Sequence, residues 1–385
     1  MTPFTFSTVP HLVSQPGAAN DLGVHVALRF PLVRRAMLVT DPGFLRTNLV
    51  ERPAQSLREA GIAADIYSNV VADPPESIVL RAVEYARANA IDIVIGLGGG
   101  SSMDVAKLIA VLAPSAQSLA DIYGIGNVKG ARLPLVQVPT TAGTGSEVTN
   151  IAIVTTGETS KMGVVSPQLY ADLAVLDATL TLGLPPMVTA ATGIDAMVHA
   201  IEAFTSRHKK NPLSDALARQ ALALLSKNIF TVCEHGRNLE ARQAMLLGAY
   251  FAGQAFSNAP VAAVHALAYP IGGIFHVPHG LSNSLVLPHV LRFNLPQAFV
   301  QYAELAAIVV PKAVGSPEAR ADGLILAMQE IAARTGIQTT LRQVGVSEGD
   351  LDRLADAAML QTRLLGNNPR DVTRSDAYAM YSAAL

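Results

Sequence analysis

The sequence contains a single cysteine, Cys233, so no disulfide can form within the chain. Charged residues are scarce, at 15%, and they balance to a formal net charge of -2, which provides no general attraction to nucleic acid or anionic lipid. No apolar run reaches the roughly 18 residues of a membrane-spanning helix, and the N-terminus lacks the pattern of a signal peptide. We therefore expect a cytoplasmic enzyme that acts on a small molecule and has neither a nucleic-acid nor a membrane partner.

Hydrophobic residues are abundant, at 50% of 385 positions, which is enough for two globular domains. Up to residue 183, short β-branched runs alternate with helical patterns, as is typical of an α/β domain with a mostly parallel sheet. After Leu184, Pro185 and Pro186, helical periodicity dominates. The sequence predicts an α/β domain over residues 1–183 and an all-helical domain over residues 184–385.

The helical region carries acidic and imidazole side chains at spacings that suit a metal ion. Asp195 and His199 are four residues apart, which on an α-helix places both on one face. The surrounding helix is apolar, and a buried carboxylate requires a partner; alternatively, the two residues form only a capping or surface ion pair. Together with His265 and His279 they offer a ligand set suited to Fe(II), Zn(II), Mn(II) or Ni(II) rather than to calcium or magnesium.

A glycine-rich loop in the α/β region is the second candidate site. A strand predicted over residues 91–97 leads into a run of small residues, and a helix is predicted to begin near Met103. The run consists of Gly98, Gly99, Gly100, Ser101 and Ser102. Glycines allow close approach of a ligand to the backbone, and N–H groups at a helix start attract phosphate oxygens. The loop is therefore either a dinucleotide pyrophosphate site or a turn that only joins strand to helix.

Two charged residues could contact the same cofactor. Asp41 ends a predicted strand, where its carboxylate could bind an adenosine ribose and repel a 2′-phosphate, which favours NAD over NADP. The alternative role for Asp41 is to initiate a turn. Lys161 is either a cofactor contact or an ordinary solvated charge.

Five motifs, in this order, resemble the iron-containing (group III) alcohol dehydrogenase family. They are GGGSSMDVAK, PTTAGTGSEVT, ATGIDAMVHAIE, FSNAPVAAVHALAYPIGG and FHVPHG, and the similarity extends to the C-terminal NPRDVTRSDAYAMYSAAL. The resemblance implies a dehydroquinate synthase-like fold, in which an α/β dinucleotide-binding domain precedes an α-helical metal-binding and catalytic domain. It also implies a homodimer that uses NAD and a divalent metal, with Fe(II) expected and Zn(II) or Mn(II) as alternatives.

The resemblance also assigns roles to individual residues. The metal ligands correspond to Asp195, His199, His265 and His279. The cofactor positions correspond to Gly98, Gly99, Gly100, Ser101, Ser102, Asp104, Thr140, Thr141, Thr149, Lys161 and, in members that choose NAD, Asp41. Several members carry a histidine where this chain has Tyr269, so the proton relay is expected to use Tyr269, His276 or solvent.

The implied activity is hydride transfer between nicotinamide and a primary alcohol or aldehyde held by the metal. A maleylacetate reductase-like enzyme is an alternative, although such relatives are expected to lack the complete ligand set. A dehydroquinate synthase-like lyase would require a cluster of basic residues, and the metal-bearing stretch has few. A non-catalytic NAD-binding relative is the remaining alternative.

Overall fold

A computed structural model describes residues 3–157, 160–310, 312 and 314–385. The chain divides into two compact units, one formed by Thr8–Gly183 and the other by Leu184–Leu385 together with the N-terminal residues up to Ser7. Asn258 holds this N-terminal segment within the second unit. Its side-chain oxygen accepts a hydrogen bond from Ser7 N (2.8 Å), and its amide donates to Ser7 O (2.9 Å).

The strands of the first unit form two sheets. In chain order they are β1 Leu12–Ser14, β2 Arg35–Val39, β3 Ala63–Tyr67, β4 Ile93–Gly98, β5 Gly124–Ile125, β6 Leu135–Pro139, β7 Ile151–Thr156, β8 Ser160–Val165 and β9 Leu173–Leu176. Among the described residues, six strands form a parallel sheet in the order β1-β9-β6-β4-β2-β3, and three form a smaller sheet in the order β5-β8-β7. In the smaller sheet β7 and β8 are antiparallel.

Helices follow most strands of the parallel sheet, as expected of an α/β unit. They are α1 Leu22–Arg29, α2 Pro42–Leu45, α3 Glu51–Glu59, α4 Glu76–Ala88, α5 Gly100–Leu112 and α6 Leu119–Ile122. Strand β4 lies in the middle of the sheet, and all six of its residues are buried, which explains its continuous apolar sequence. The helix after β4 begins at Gly100, earlier than the predicted start near Met103, because Gly99 is its N-cap and Gly100, Ser101 and Ser102 already belong to its first turn.

The second unit is helical, and no strand occurs among its described residues. Its helices are α7 Pro186–Thr205, α8 Pro212–Glu234, α9 Leu239–Asn258, α10 Ala263–Phe275, α11 His279–Val309, α12 Pro317–Arg334, α13 Leu351–Met359, α14 Thr362–Leu365 and α15 Arg374–Ala384. The predicted architecture, a mostly parallel α/β region followed by a helical region, is confirmed. A search of the described helices finds none that is both long and apolar enough to span a bilayer.

The core of the second unit is built around α7, in which every residue from Gly193 to Thr205 is buried. Most of these residues are apolar, and a helix that is apolar on most of its surface packs in a protein interior. The first turn of α11 approaches α7 closely, because a Cβ added at Gly280 would lie only 2.4 Å from Ala191 O. Glycine at this position therefore allows the contact that brings His279 beside Asp195.

Candidate metal centre and cofactor loop

The structure brings together the four residues that the sequence suggested as metal ligands. Asp195 and His199 lie on α7, His265 in the first turn of α10, and His279 at the start of α11. One donor atom from each lies within 4.8 Å of the other three. Asp195 Oδ1 lies 3.6 Å from His279 Nε2 and 4.0 Å from His265 Nε2. This arrangement has the compactness of a four-ligand site.

Burial distinguishes the cluster from a surface ion pair. Asp195, His199 and His265 are between 1% and 3% exposed, whereas the side chain of His279 is 32% exposed. Burial alone would raise the pKa of Asp195, but the neighbouring imidazoles and an amide outweigh it and lower that pKa. The carboxylate is therefore ionised inside the protein, where an unpaired charge is costly. A divalent cation suits this donor set.

Asn283 is a member of the cluster that sequence reasoning missed. It is fully buried, one turn beyond His279 on α11, and its amide nitrogen lies 2.6 Å from Asp195 Oδ1. The same nitrogen lies 3.3 Å from His265 Nε2 and 3.2 Å from His279 Nε2. One carboxylate oxygen and two imidazole nitrogens, which accept hydrogen bonds in the tautomer protonated at Nδ1, thus surround one amide group. The spacing of four residues from His279 was the available signal.

Glu202 was also missed, although it stands seven residues after Asp195 and hence on the same face of α7. It is 3% exposed, and its Oε2 lies 2.6 Å from His265 Nδ1. Its other oxygen accepts a hydrogen bond from Val264 N (2.7 Å). The carboxylate therefore contacts the imidazole nitrogen that faces away from the cluster.

The two candidate proton-relay residues differ in position. The ring of Tyr269 lies 5.9 Å from that of His279 and 6.4 Å from that of His265, between ring centroids. His276 is exposed at the C-terminal cap of α10 in a left-handed conformation (φ 56°), and none of the described contacts joins it to the cluster. Phe256 is 7% exposed, and its ring stacks on that of His199 with 4.3 Å between ring centroids.

The cofactor candidates of the first unit gather at the carboxyl ends of three adjacent strands. Asp41 follows β2, the glycine run ends β4, and Thr140 follows β6, with Thr140 N donating to Gly98 O (3.0 Å). The crevice outside such strand ends is where ligands bind in open parallel sheets. A Cβ on Gly99 would meet only the Thr141 side chain, at 3.9 Å, so the glycine leaves open space beside the first turn of α5. This cradle fits a phosphate group.

Asp41 has the turn role that the sequence allowed, because its Oδ1 accepts a hydrogen bond from Phe44 N (2.9 Å) and caps α2. Its Oδ2 points toward the glycine run, 3.7 Å from the position of a Cβ on Gly98. The second oxygen thus remains beside the cradle while the first is occupied. Lys161 is not a solvated charge, since its side chain is 7% exposed and its Nζ pairs with Asp73 at 2.6 Å.

A buried polar network supports the threonine-rich loop, which runs from Thr140 to Thr149. Asp104 accepts hydrogen bonds from Ser146 Oγ (2.5 Å) and Ile153 N (3.0 Å). Lys107, which is fully buried, donates to Thr149 Oγ1 (3.1 Å) and Ile151 O (2.7 Å). Sequence reasoning placed Asp104 and Thr149 at the cofactor and overlooked Lys107, because a lysine in a helical pattern is usually exposed.

Burial changes the ionisation of this network. It lowers the pKa of Lys107 and raises the pKa of the neighbouring Glu147 to about 7, against the opposing charge of Lys107. Glu147 is 2% exposed. The threonine-rich loop is therefore supported by two buried ionisable side chains, Lys107 and Glu147, and burial shifts the pKa of each toward its neutral form.

The sequence matches the models of a known protein family over both units. Residues 10–178 match the model of iron-containing alcohol dehydrogenases, and residues 189–385 match that of the C-terminal part of the Fe-containing alcohol dehydrogenase family. Long-chain-alcohol dehydrogenase 1 of Geobacillus thermodenitrificans (strain NG80-2) is 40% identical over 355 residues, covering 91% of this chain and 89% of that protein.

Two further similarities extend over nearly the full length. NAD-dependent methanol dehydrogenase of Bacillus methanolicus is 33% identical over 382 residues, covering 99% of each chain. A crystal structure of 1,3-propanediol oxidoreductase has a TM-score of 0.96 and 34% identity, covering 100% of both chains.

Proposed function

The chain belongs to the iron-containing alcohol dehydrogenase family and is an oxidoreductase, and from this premise we propose that it interconverts a primary alcohol and its aldehyde, using NAD and one divalent metal. The observation that carries the proposal is the convergence of Asp195, His199, His265 and His279 within 4.8 Å in a buried site. These four side chains would hold the metal, which we expect to be Fe(II), with Zn(II) or Mn(II) as alternatives.

When bound, the metal supplies a Lewis acid for the substrate oxygen and NAD supplies the hydride acceptor. The protein's own residues bind, orient and shield. His279, the most exposed of the four, borders the side from which a substrate oxygen can approach. Phe256 stacks on His199 and covers one face of that ring.

Tyr269 is the proposed holder of the substrate proton, at its phenolic oxygen. Its ring is adjacent to both His265 and His279, whereas His276 lies exposed at a helix end. A hydroxyl within reach of the site can pass a proton to solvent without a histidine at this position. Tyr269→Phe should therefore lower kcat while metal content stays unchanged.

The cofactor is proposed to lie on the glycine run, with its pyrophosphate at the N-terminal N–H groups of α5. Asp41 Oδ2 would accept hydrogen bonds from the adenosine ribose, which favours NAD over NADP. Thr140, Thr141 and Thr149 would face the nicotinamide half, and Lys107 holds the hydroxyl of Thr149 in place.

The test is absorbance of NADH with a panel of alcohols, and its loss with the matching aldehydes, after reconstitution with Fe(II), Zn(II) or Mn(II) in turn. Turnover of short or long primary alcohols supports the proposal and identifies the substrate class. A metal-loaded, NAD-binding protein that reduces or oxidises no member of the panel contradicts it. A homodimer and a cytoplasmic location remain predictions, and light scattering of the purified protein tests the first.

A further inference from the structure

Both ring nitrogens of His265 have defined surroundings. Nε2 faces the metal cluster, 4.0 Å from Asp195 Oδ1 and 3.3 Å from the Asn283 amide. Nδ1 faces away from the cluster and lies 2.6 Å from Glu202 Oε2. A neutral imidazole carries its proton on only one nitrogen, so its partner at Nδ1 decides which nitrogen has a lone pair for a metal.

Glu202 serves a second group at the same time. Helix α10 begins at Ala263, and its N-terminal cap, Ala262, has no side-chain acceptor for the free N–H groups. Glu202 Oε1 reaches across from α7 and accepts the hydrogen bond from Val264 N (2.7 Å). A carboxylate at a helix N-terminus is also favoured by the helix dipole. The two oxygens thus fix the start of α10 and the ring that projects from it.

We propose that Glu202 is the positioning residue of the metal centre. Its carboxylate accepts a hydrogen bond from Nδ1–H of His265, which leaves the Nε2 lone pair directed at the metal and fixes the plane of the ring. This inference rests on the proposed metal centre, and it assigns to Glu202 a share of the metal affinity rather than a ligand position. Carboxylate partners of this kind typically contribute about 10- to 100-fold in metal affinity.

Glu202→Gln tests the proposal with almost no change in shape. Glutamine has one oxygen where glutamate has two, and both oxygens of Glu202 accept a hydrogen bond. If the amide NH2 faces His265 it donates to Nδ1 and drives the proton to Nε2, which then cannot bind the metal. If it faces Val264 N, two donors collide and the start of α10 is displaced. Either orientation weakens the site.

The experiment measures the dissociation constant for Zn(II) on the full-length, metal-free protein, by competition with a chromogenic chelator. Glu202→Gln should bind Zn(II) about 10- to 100-fold more weakly than wild type. The matched control is Glu147→Gln, which neutralises another buried glutamate in the other unit and should leave zinc affinity unchanged. Melting temperatures of the metal-free proteins separate a loss of affinity from a loss of folding.

Zinc affinity equal to that of wild type in a folded Glu202→Gln protein overturns the inference and leaves the proposed function intact. A wild-type protein with no measurable affinity for Zn(II), Fe(II) or Mn(II) overturns the proposed function and the inference together. A second measurement requires no variant. In zinc-loaded wild type labelled with 15N-histidine, His265 should show a downfield, slowly exchanging Nδ1 proton, and a signal from an unprotonated Nδ1 contradicts the assignment.

Discussion

The metal cluster and the cofactor loop are built in opposite ways. The cluster uses side chains from three helices, and Asp195 and Asn283 make contact although they are 88 positions apart. The loop uses the backbone of consecutive residues between β4 and α5, with space left by glycine. The first site therefore depends on packing of the helical unit, whereas the second depends mainly on local conformation.

Two buried carboxylates, Asp195 in the cluster and Glu147 under the threonine-rich loop, also differ in ionisation. Imidazoles around Asp195 outweigh its burial and lower its pKa, whereas burial dominates at Glu147 and raises its pKa to about 7. A charged carboxylate suits a cation, and a carboxyl that gains a proton near neutrality suits a structural position. The comparison predicts that substitutions at the cluster affect metal content, while those at the loop affect cofactor affinity or folding.

The largest effect is expected for His265→Ala. Loss of one ligand and of the Lewis acid that it holds should lower kcat/KM by roughly three orders of magnitude or more. Elemental analysis should find little metal. Circular dichroism should show a folded protein, and calorimetric titration should show that it still binds NAD. Full activity without bound metal would contradict the assignment of His265 as a ligand and would show that the cluster is not a metal site that the reaction requires.

Glu147→Gln should change the pH dependence of stability. Because the native pKa of Glu147, about 7, lies above its ordinary value of 4.5, the native state binds the proton more tightly than the unfolded state. This contribution to stability is complete below pH 4.5 and is lost as pH rises toward 7, amounting to roughly 3 kcal/mol at most. Thermal melts of metal-free wild type and variant from pH 5 to 8 measure it.

The Glu147→Gln variant should not show this decrease in stability with rising pH, and it should therefore be more stable than wild type above neutral pH. Parallel melting curves of the two proteins across the whole range would show that Glu147 does not bind a proton on folding.

Gly99→Ala should weaken NAD binding about tenfold, or roughly 1.4 kcal/mol, because the methyl group would occupy the cradle at the start of α5. The backbone of Gly99 (φ -75°, ψ -175°) accepts alanine, and the nearest atoms lie at 3.9 Å, so folding should be unaffected. Calorimetric titration with NAD measures the change. The matched control is Gly323→Ala in α12. A Cβ added at Gly323 would have no neighbouring atom within 4 Å, so this variant should bind NAD as wild type does.

The smallest expected effect is that of Asp41→Asn. Asparagine keeps an oxygen to cap α2 but removes the charge, so the ratio of kcat/KM for NAD to that for NADP should fall about fivefold, or roughly 1 kcal/mol. Asp41→Gly, which also loses the cap, should give a similar ratio with slightly lower stability. An unchanged ratio in both variants would limit Asp41 to its turn role.

Much of the fold was predictable because its signals are local. The buried strand, the glycine run and the following helix are contiguous in sequence. After residue 184, the spacing of apolar residues has the period of an α-helix. The start of α5 was misplaced by three residues, since glycine and serine are weaker helix formers than alanine or leucine, and Gly100, Ser101 and Ser102 nevertheless form its first turn. The N-terminal segment up to Ser7 groups with the second unit through Asn258, a contact that no local pattern indicates.

The candidate site was predictable as a set of residue types but not as a network. Asp195 and His199 follow from helical spacing, and His265 and His279 from ligand chemistry and family resemblance. Glu202 and Asn283 became visible only when three helices were packed together, because neither residue type is diagnostic by itself. Lys107 and Glu147 were missed for a related reason, since both are usually exposed and here are buried together.

The most direct test of the account is the metal content of the wild-type protein purified without chelator, paired with alcohol-dependent NAD reduction before and after chelation. If the cluster is a catalytic metal centre, the protein should contain close to one equivalent of iron or zinc per chain, lose its activity on chelation and recover it on addition of a single divalent ion. Activity that persists in metal-free protein, or a folded protein that takes up no divalent ion, would contradict the assignment of the cluster as a catalytic metal centre.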